Sequence, residues 1–206
     1  MSLRFEQDGR VRRITLAEPS NRNAIHLTLA VELLKEIGNA ASDPATGAIL
    51  LDAEGPVFCG GVSSEAGSLE DLPGELFTFG RCCTKPIVAA VQGVAVSAGL
   101  ALVANAHVAV AAQGSSFGLT DVREGHFHAG LLEAVGNAVG QRRALELALT
   151  GRIFSTPEAL AWGLVHAVTP AFELDDRATA IATALANGSA EAIRAMLAHS
   201  VRELHN

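Results

Sequence analysis

From Pro86 to Thr120 the chain carries no Asp, Glu, Lys or Arg. A run of that length without charge is either a membrane span or the interior of a layered fold. Its composition decides between them. Ala, Val and Gly dominate over Leu, Ile and Phe, and Gln92, Ser97, Asn105 and His107 interrupt the run. Small side chains gain little from lipid, so no membrane association is expected. The run reads instead as a buried strand–helix–strand unit. Ile87–Val91 is strand-like, Gly93 interrupts it and Val94–Val96 continues it; Gly99–Ala106 suits a helix, and His107–Ala112 forms a second buried strand.

The remaining elements follow from periodicity. VRRITL at residues 11–16 predicts a strand ended by Pro19, and Leu27, Ala30, Val31, Leu34, Ile37 and Ala41 recur at helical spacing. Ala48–Leu51 predicts a buried strand, residues 59–74 a glycine- and serine-rich loop, Glu75–Cys83 a short helix, and Phe117–Gly130 an irregular stretch. Helices are expected at Leu132–Val139, Gln141–Leu149, Asp175–Leu185 and Ser189–Leu204, with Ser155-Thr156-Pro157-Glu158 starting another. In the last helix Ile193, Met196, Leu197, Val201 and Leu204 form an apolar stripe, either core or a subunit contact. Strand–helix–strand alternation followed by helices gives an α/β fold.

With 206 residues, 49% of them hydrophobic and 18% charged, the chain can bury a core and is not disordered. A net charge of −7 excludes a broad basic face for nucleic acid. Cys59, Cys82 and Cys83 are too few for a disulfide scaffold, and with no apolar secretory segment in MSLRFEQDGRVRR they point to reduced thiols in the cytoplasm.

The tight turn Ser97-Ala98-Gly99 lies between a strand and a helix, where backbone N–H groups are left unpaired and small residues let a ligand approach. Upstream, Val57-Phe58-Cys59-Gly60-Gly61-Val62-Ser63 is again strand then glycine and can supply a second N–H. Two such donors make an oxyanion hole. Ala95-Val96-Ser97-Ala98-Gly99 also approximates the G-x-S-x-G turn of serine hydrolases, with Ser97, Asp121 and a histidine in chain order. Its first glycine is missing, however, and Asp121 and His126 follow too closely for the usual hydrolase spacing.

The string 85–125 resembles the core signature of the enoyl-CoA hydratase/isomerase (crotonase) family. Residues 57–63 resemble that family's first oxyanion loop, and Glu18-Pro19 with Asn23-Ala24 its N-terminal element. Phe117-Gly118 and Gly151-Arg152, Ala159 and Gly163-Leu164-Val165 match later elements, so the resemblance covers about residues 10 to 170. It implies a crotonase (ClpP-like) fold of repeated ββα units, with a core domain over 1–168 and a helical, shortened trimerisation segment over 169–206. It also implies an acyl-CoA thioester substrate, an enolate held by the N–H groups of Val62 and Ala98, and a homotrimer or hexamer. Gly61 and Gly99 would border the substrate, and Arg22 would meet the CoA phosphates. No metal, and no cofactor beyond the CoA of the substrate, is implied.

The departures from the family pattern carry more information. Hydratases of the family use two glutamates; this chain has Ala101 at the first position and Asp121 at the second, and its glycine triplet reads Ser97-Ala98-Gly99. Adding water needs one group to activate it and usually another to hold it, whereas moving a proton along an acyl chain can run on one carboxylate. Isomerisation is therefore expected over hydration, with a non-catalytic acyl-CoA-binding relative and a serine hydrolase acting through Ser97 as rivals. Asp121 is the expected base or a turn cap. His128 stands where some relatives carry a catalytic aspartate and is the second expected base, or else a loop histidine.

Overall fold

Every residue of the strand Ile87–Val91 is buried, because both faces of its sheet are covered. Ile87, Ala89 and Val91 point into the main core, while Val88 and Ala90 point the other way, against Leu174, Ala178, Ala182 and Ala186 of a C-terminal helix. The strand's lack of charge follows directly: no side chain in it reaches water.

A computed structural model describes residues 2–63 and 71–203, and side chains through residue 200. In chain order the strands are β1 (Leu3–Asp8), β2 (Val11–Leu16), β3 (Ala48–Ala53), β4 (Ile87–Val91), β5 (Val94–Val96), β6 (Val108–Ala112), β7 (Ser116–Gly118), β8 (Ile153–Ser155) and β9 (Ala167–Thr169). The helices are α1 (Leu27–Ser42), α2 (Phe79–Cys82), α3 (Ala98–Asn105), α4 (Ala129–Val139), α5 (Gln141–Thr150), α6 (Thr156–Ala161), α7 (Leu174–Ala186) and α8 (Ala190–Glu203). The unit ββα recurs as β1–β2–α1, β4–β5–α3 and β6–β7–α4. One sheet runs β1-β2-β3-β4-β6-β9, parallel except for the β1–β2 hairpin, and a second runs β5-β7-β8. Helices α1 and α3 cover the main-core face of the large sheet, and α7 covers its back.

The expected strand 87–96 is two strands in two different sheets. At Gly93 φ is +64°, and an added Cβ would lie 1.8 Å from the carbonyl oxygen of Pro56. Only glycine fits that corner, where the chain leaves the large sheet after β4 and starts the small one with β5. Strands β1, β8 and β9 were not legible in the sequence. Part of the stretch read as irregular, 117–130, holds the end of β7, and α4 begins at Ala129 rather than Leu132. The start signal at residues 155–158 is a capping box: Glu158 accepts from the Ser155 backbone N–H at 2.8 Å.

Helix α8 lies mostly exposed. Of its expected stripe, Ile193 and Leu197 are half-buried and Met196 is exposed, while the Val201 and Leu204 side chains lie outside the described residues. The middle of the expected loop 59–74, residues 64–70, lies outside them as well. No helix among the described residues is long and apolar enough to cross a membrane.

Candidate active site

The loop after residue 57 is fastened from both sides. On one side the backbone N–H of Cys59 donates to Val94 and that of Val96 donates to Cys59, at 3.0 and 3.2 Å, an isolated parallel bridge that lays the loop along β5. On the other, Ile25 donates to Gly61 at 2.8 Å and accepts from Ser63 at 2.9 Å. In a parallel bridge of that pattern the residue between, Val62, turns its own N–H away from its partner. Among the described residues the Val62 N–H has no acceptor, and neither does that of Ala98, the first residue of α3.

Closure of these two segments depends on small residues. A Cβ on Gly99 would come 2.7 Å from both Cβ and O of Cys59, so no larger residue allows α3 to start this close to the loop. Gly61 lies against the Cβ of Ser97. Cys59 itself is a packing residue. Burial pushes its thiol up to about 12, which leaves it without thiolate character near neutral pH.

Asn23 positions the loop, a role not read from the sequence. It is fully buried; its Oδ1 accepts from the Glu18 N–H at 2.9 Å, and its Nδ2 donates to the carbonyls of Glu54 and Val57 at 2.9 and 2.8 Å. Gln92 donates through Nε2 to Ala53 and Gly55. Both side chains clamp the turn that precedes Val57. The sequence signal was the Asn23-Ala24 pair, but nothing local told that its amide bonds three backbone groups, one in its own segment and two in the turn before Val57. Arg22 accepts the Gly60 N–H at 2.9 Å through its carbonyl, and its exposed guanidinium stands beside the same loop.

Ser97, the residue before α3, has φ +52° and ψ −122°. That is a strained backbone for a side-chain-bearing residue, at a cost of about 1–3 kcal/mol. Its N–H donates to the carbonyl of Gly118 at 2.9 Å, which ties the end of β7 to the end of β5. Three residues beyond Gly118, Asp121 consequently lands over Ser97, and the Ser97 hydroxyl donates to Asp121 Oδ1. The other carboxylate oxygen, Oδ2, is buried and has no hydrogen-bond partner among the described residues. Burial raises the Asp121 pKa above the usual aspartate value, opposed by the Ser97 hydroxyl, which favours the ionised form. A carboxylate oxygen left in this state is a feature that calls for a functional explanation.

Asp121 and His128 line one apolar cavity of about 140 Å³, together with Leu119, Leu131 and Leu149. His128 caps α4: its Nδ1 accepts from the N–H groups of Gly130 and Leu131 at 3.1 and 3.4 Å, and its ring rests on Phe77 with centroids 4.1 Å apart. Any proton exchange by this ring must run through Nε2. Ala101 is fully buried in the main core. The structure thus gathers Val62, Ala98, Gly61, Gly99, Asp121 and Ser97 around one turn, with Arg22 at its outer edge and His128 across the cavity.

The chain was compared with known proteins. A family model described as enoyl-CoA hydratase/isomerase matches residues 6–206. The mitochondrial enoyl-CoA hydratase domain-containing protein 3 of Danio rerio is 37% identical over 199 residues, which is 89% of this chain and 67% of that protein. The chain spans 62–64% of the length of that protein's mammalian and amphibian counterparts. The mevalonyl-coenzyme A hydratase of Aspergillus fumigatus is 32% identical over 191 residues, 88% of this chain and 71% of that one. The crystal structure of the human enoyl-CoA hydratase domain-containing protein 3 superposes with a TM-score of 0.91 at 30% identity, covering 100% of this chain and 85% of that one. This chain belongs to the enoyl-CoA hydratase/isomerase family, and its α/β architecture, helical at the C-terminus, is the crotonase fold.

Proposed function

We propose that the protein acts on an acyl-CoA thioester, holds its enolate with the N–H groups of Val62 and Ala98, and shifts a double bond by moving one proton with Asp121. The observation that carries this reading is the buried, unpartnered Oδ2 of Asp121, whose Oδ1 holds the hydroxyl of Ser97, the residue before the unengaged Ala98 N–H. The donors stabilise the negative charge that develops on the thioester oxygen once a neighbouring carbon loses its proton. Asp121 takes that proton and returns it to a different carbon. Among the described residues Asp121 is the one carboxylate lining the apolar cavity, and Ala101 offers no second group to hold water. His128 Nε2 is the proposed second proton carrier, subordinate because Nδ1 already caps α4. Gly61 and Gly99, expected to border the substrate, instead pack against Ser97 and Cys59 and so close the two donor loops on each other; Arg22 meets the CoA phosphates. No cofactor beyond the substrate's CoA enters this reading.

The test is a panel of 2-enoyl- and 3-enoyl-CoA thioesters in deuterium oxide, followed by mass spectrometry and proton NMR. Double-bond migration with deuterium at the carbons that exchange is expected, with little 3-hydroxyacyl-CoA. Rapid hydration of crotonyl-CoA would sink the single-carboxylate mechanism.

A homotrimer or a hexamer is proposed as the assembly. Leu149, Phe127, Met196 and Phe172 are 61–83% exposed in the single chain, large apolar side chains that a subunit contact would cover. Light scattering should give three or six times the chain mass, and a monomer at micromolar concentration would refute it. The proposed compartment is the cytoplasm, on the strength of three free thiols. The vertebrate relatives are named as mitochondrial proteins.

A further inference from the structure

We infer that Ser97 is a nucleophile and that the protein hydrolyses acyl-CoA thioesters through an acyl-serine at the same oxyanion hole. Four observations meet at this residue. Ser97 sits on a sharp turn between strand β5 and helix α3, with φ +52° and ψ −122°. That backbone suits glycine, yet a hydroxyl is held there, and strain kept at such a turn points to function. The next residue in the chain supplies an oxyanion donor, the Ala98 N–H, and the loop at Val62 supplies the other, as in the nucleophile turn of serine hydrolases. The hydroxyl donates to a carboxylate, Asp121 Oδ1, so a base is already in contact with the proton that must leave. The two objections raised by the sequence, a missing first glycine and close spacing of Asp121, are answered by geometry. The strained turn forms without that glycine, and the Ser97–Gly118 backbone bond brings Asp121 onto the hydroxyl.

The step balances with water as the only co-substrate. Ser97 Oγ bonds to the thioester carbon while its proton passes to Asp121. The tetrahedral oxyanion rests on the Val62 and Ala98 N–H groups. The C–S bond then breaks, and the CoA sulfur leaves with the proton from Asp121. Water attacks the acyl-serine ester, gives a proton to Asp121, and the carboxylic acid leaves as Ser97 Oγ recovers that proton. A thioester is a more reactive acyl donor than an amide, so it asks less of the nucleophile and of the base that activates it. Burial raises the Asp121 pKa and makes it a stronger base than a solvated aspartate.

This inference rests on the acyl-CoA reading, and the experiment separates the two. Purified protein is incubated with a short saturated acyl-CoA, thiol release is followed with a chromogenic disulfide, and a quenched sample is digested for an acylated Ser97 peptide. In parallel a fluorophosphonate probe, which needs no CoA site, is tested for labelling of Ser97. Release of CoA with acyl or phosphonyl mass on Ser97 is the expected result. Ser97→Gly, which accepts the positive φ and so keeps the turn, should cut thiol release by about 100-fold or more and abolish labelling. Deuterium exchange into substrate by the wild type, with no thiol release and no mass on Ser97, overturns the nucleophile and leaves the enolate reading standing. Labelling of Ser97 without deuterium exchange supports the nucleophile and removes the enolate reading. Thiol release undiminished in Ser97→Gly also overturns it.

Discussion

Asp121→Asn should reduce double-bond isomerisation by about 100- to 10,000-fold, the usual contribution of a positioned proton carrier. The substitution keeps the size of the side chain and an oxygen for the Ser97 hydroxyl, so the turn and CoA binding should persist. The pH dependence gives a second readout. Burial raises the Asp121 pKa above the ordinary aspartate value, and the base is the ionised form. Activity should therefore fall as pH drops, with a midpoint above that of a solvated aspartate. Ser97→Gly removes a donor that favours the carboxylate and should move the midpoint further up. Stability runs with the opposite sign. A carboxyl whose folded pKa is raised favours folding fully below its unfolded pKa, and that contribution is lost as pH rises through the folded pKa. Asp121→Asn should consequently raise the melting temperature more at pH 8 than at pH 4. Equal turnover by Asp121→Asn and wild type would remove Asp121 from the mechanism.

The parts of this site that the sequence disclosed are those encoded by local pattern. The uncharged run revealed the buried strands and α3, because burial on both faces of β4 shows directly as missing charge. The glycines and small residues of the two loops disclosed the close approach of Gly99 to Cys59 and of Gly61 to Ser97, because that approach requires them. Features made by long-range pairing stayed hidden. Residues 94–96 read as a continuation of 87–91, since nothing in a valine tells which sheet its strand joins; the answer lies in the contact between Gly93 and Pro56. The three-residue strands β8 and β9 are too short for a period to show. The partnership of Ser97 with Asp121 spans 24 positions and exists because β5 and β7 pair in parallel. At the level of sequence His128 reads as a base or a loop residue, whereas its Nδ1 closes the first turn of α4, a role that its distance from the apolar periodicity at Leu131 and Leu132 does not signal.

Ala98→Pro removes a single atom group from the site and isolates what the oxyanion hole contributes. Ala98 is the first residue of α3, the helical position where proline is best tolerated, because its N–H has no partner within the helix and φ near −65° already suits it. Ser97, at φ +52° and ψ −122°, lies outside the extended region that a residue before proline prefers, so the turn must adjust and a folding check is part of the test. The expected loss is about 100- to 1,000-fold in kcat, the effect of deleting one of two donors. KM should change far less, because the donor interacts most strongly with the charge that develops in the transition state rather than with the ground-state carbonyl. Ala98→Gly is the control: it keeps the N–H and should retain most of the rate. The same Ala98→Pro protein should lose thiol release in parallel with deuterium exchange, since the enolate and the tetrahedral intermediate place their negative oxygen at one position. Circular dichroism and a thermal melt establish that the variant is folded. Full turnover by a folded Ala98→Pro enzyme would exclude the Ala98 N–H as a donor, and loss of one activity without the other would show that the two intermediates do not share the hole.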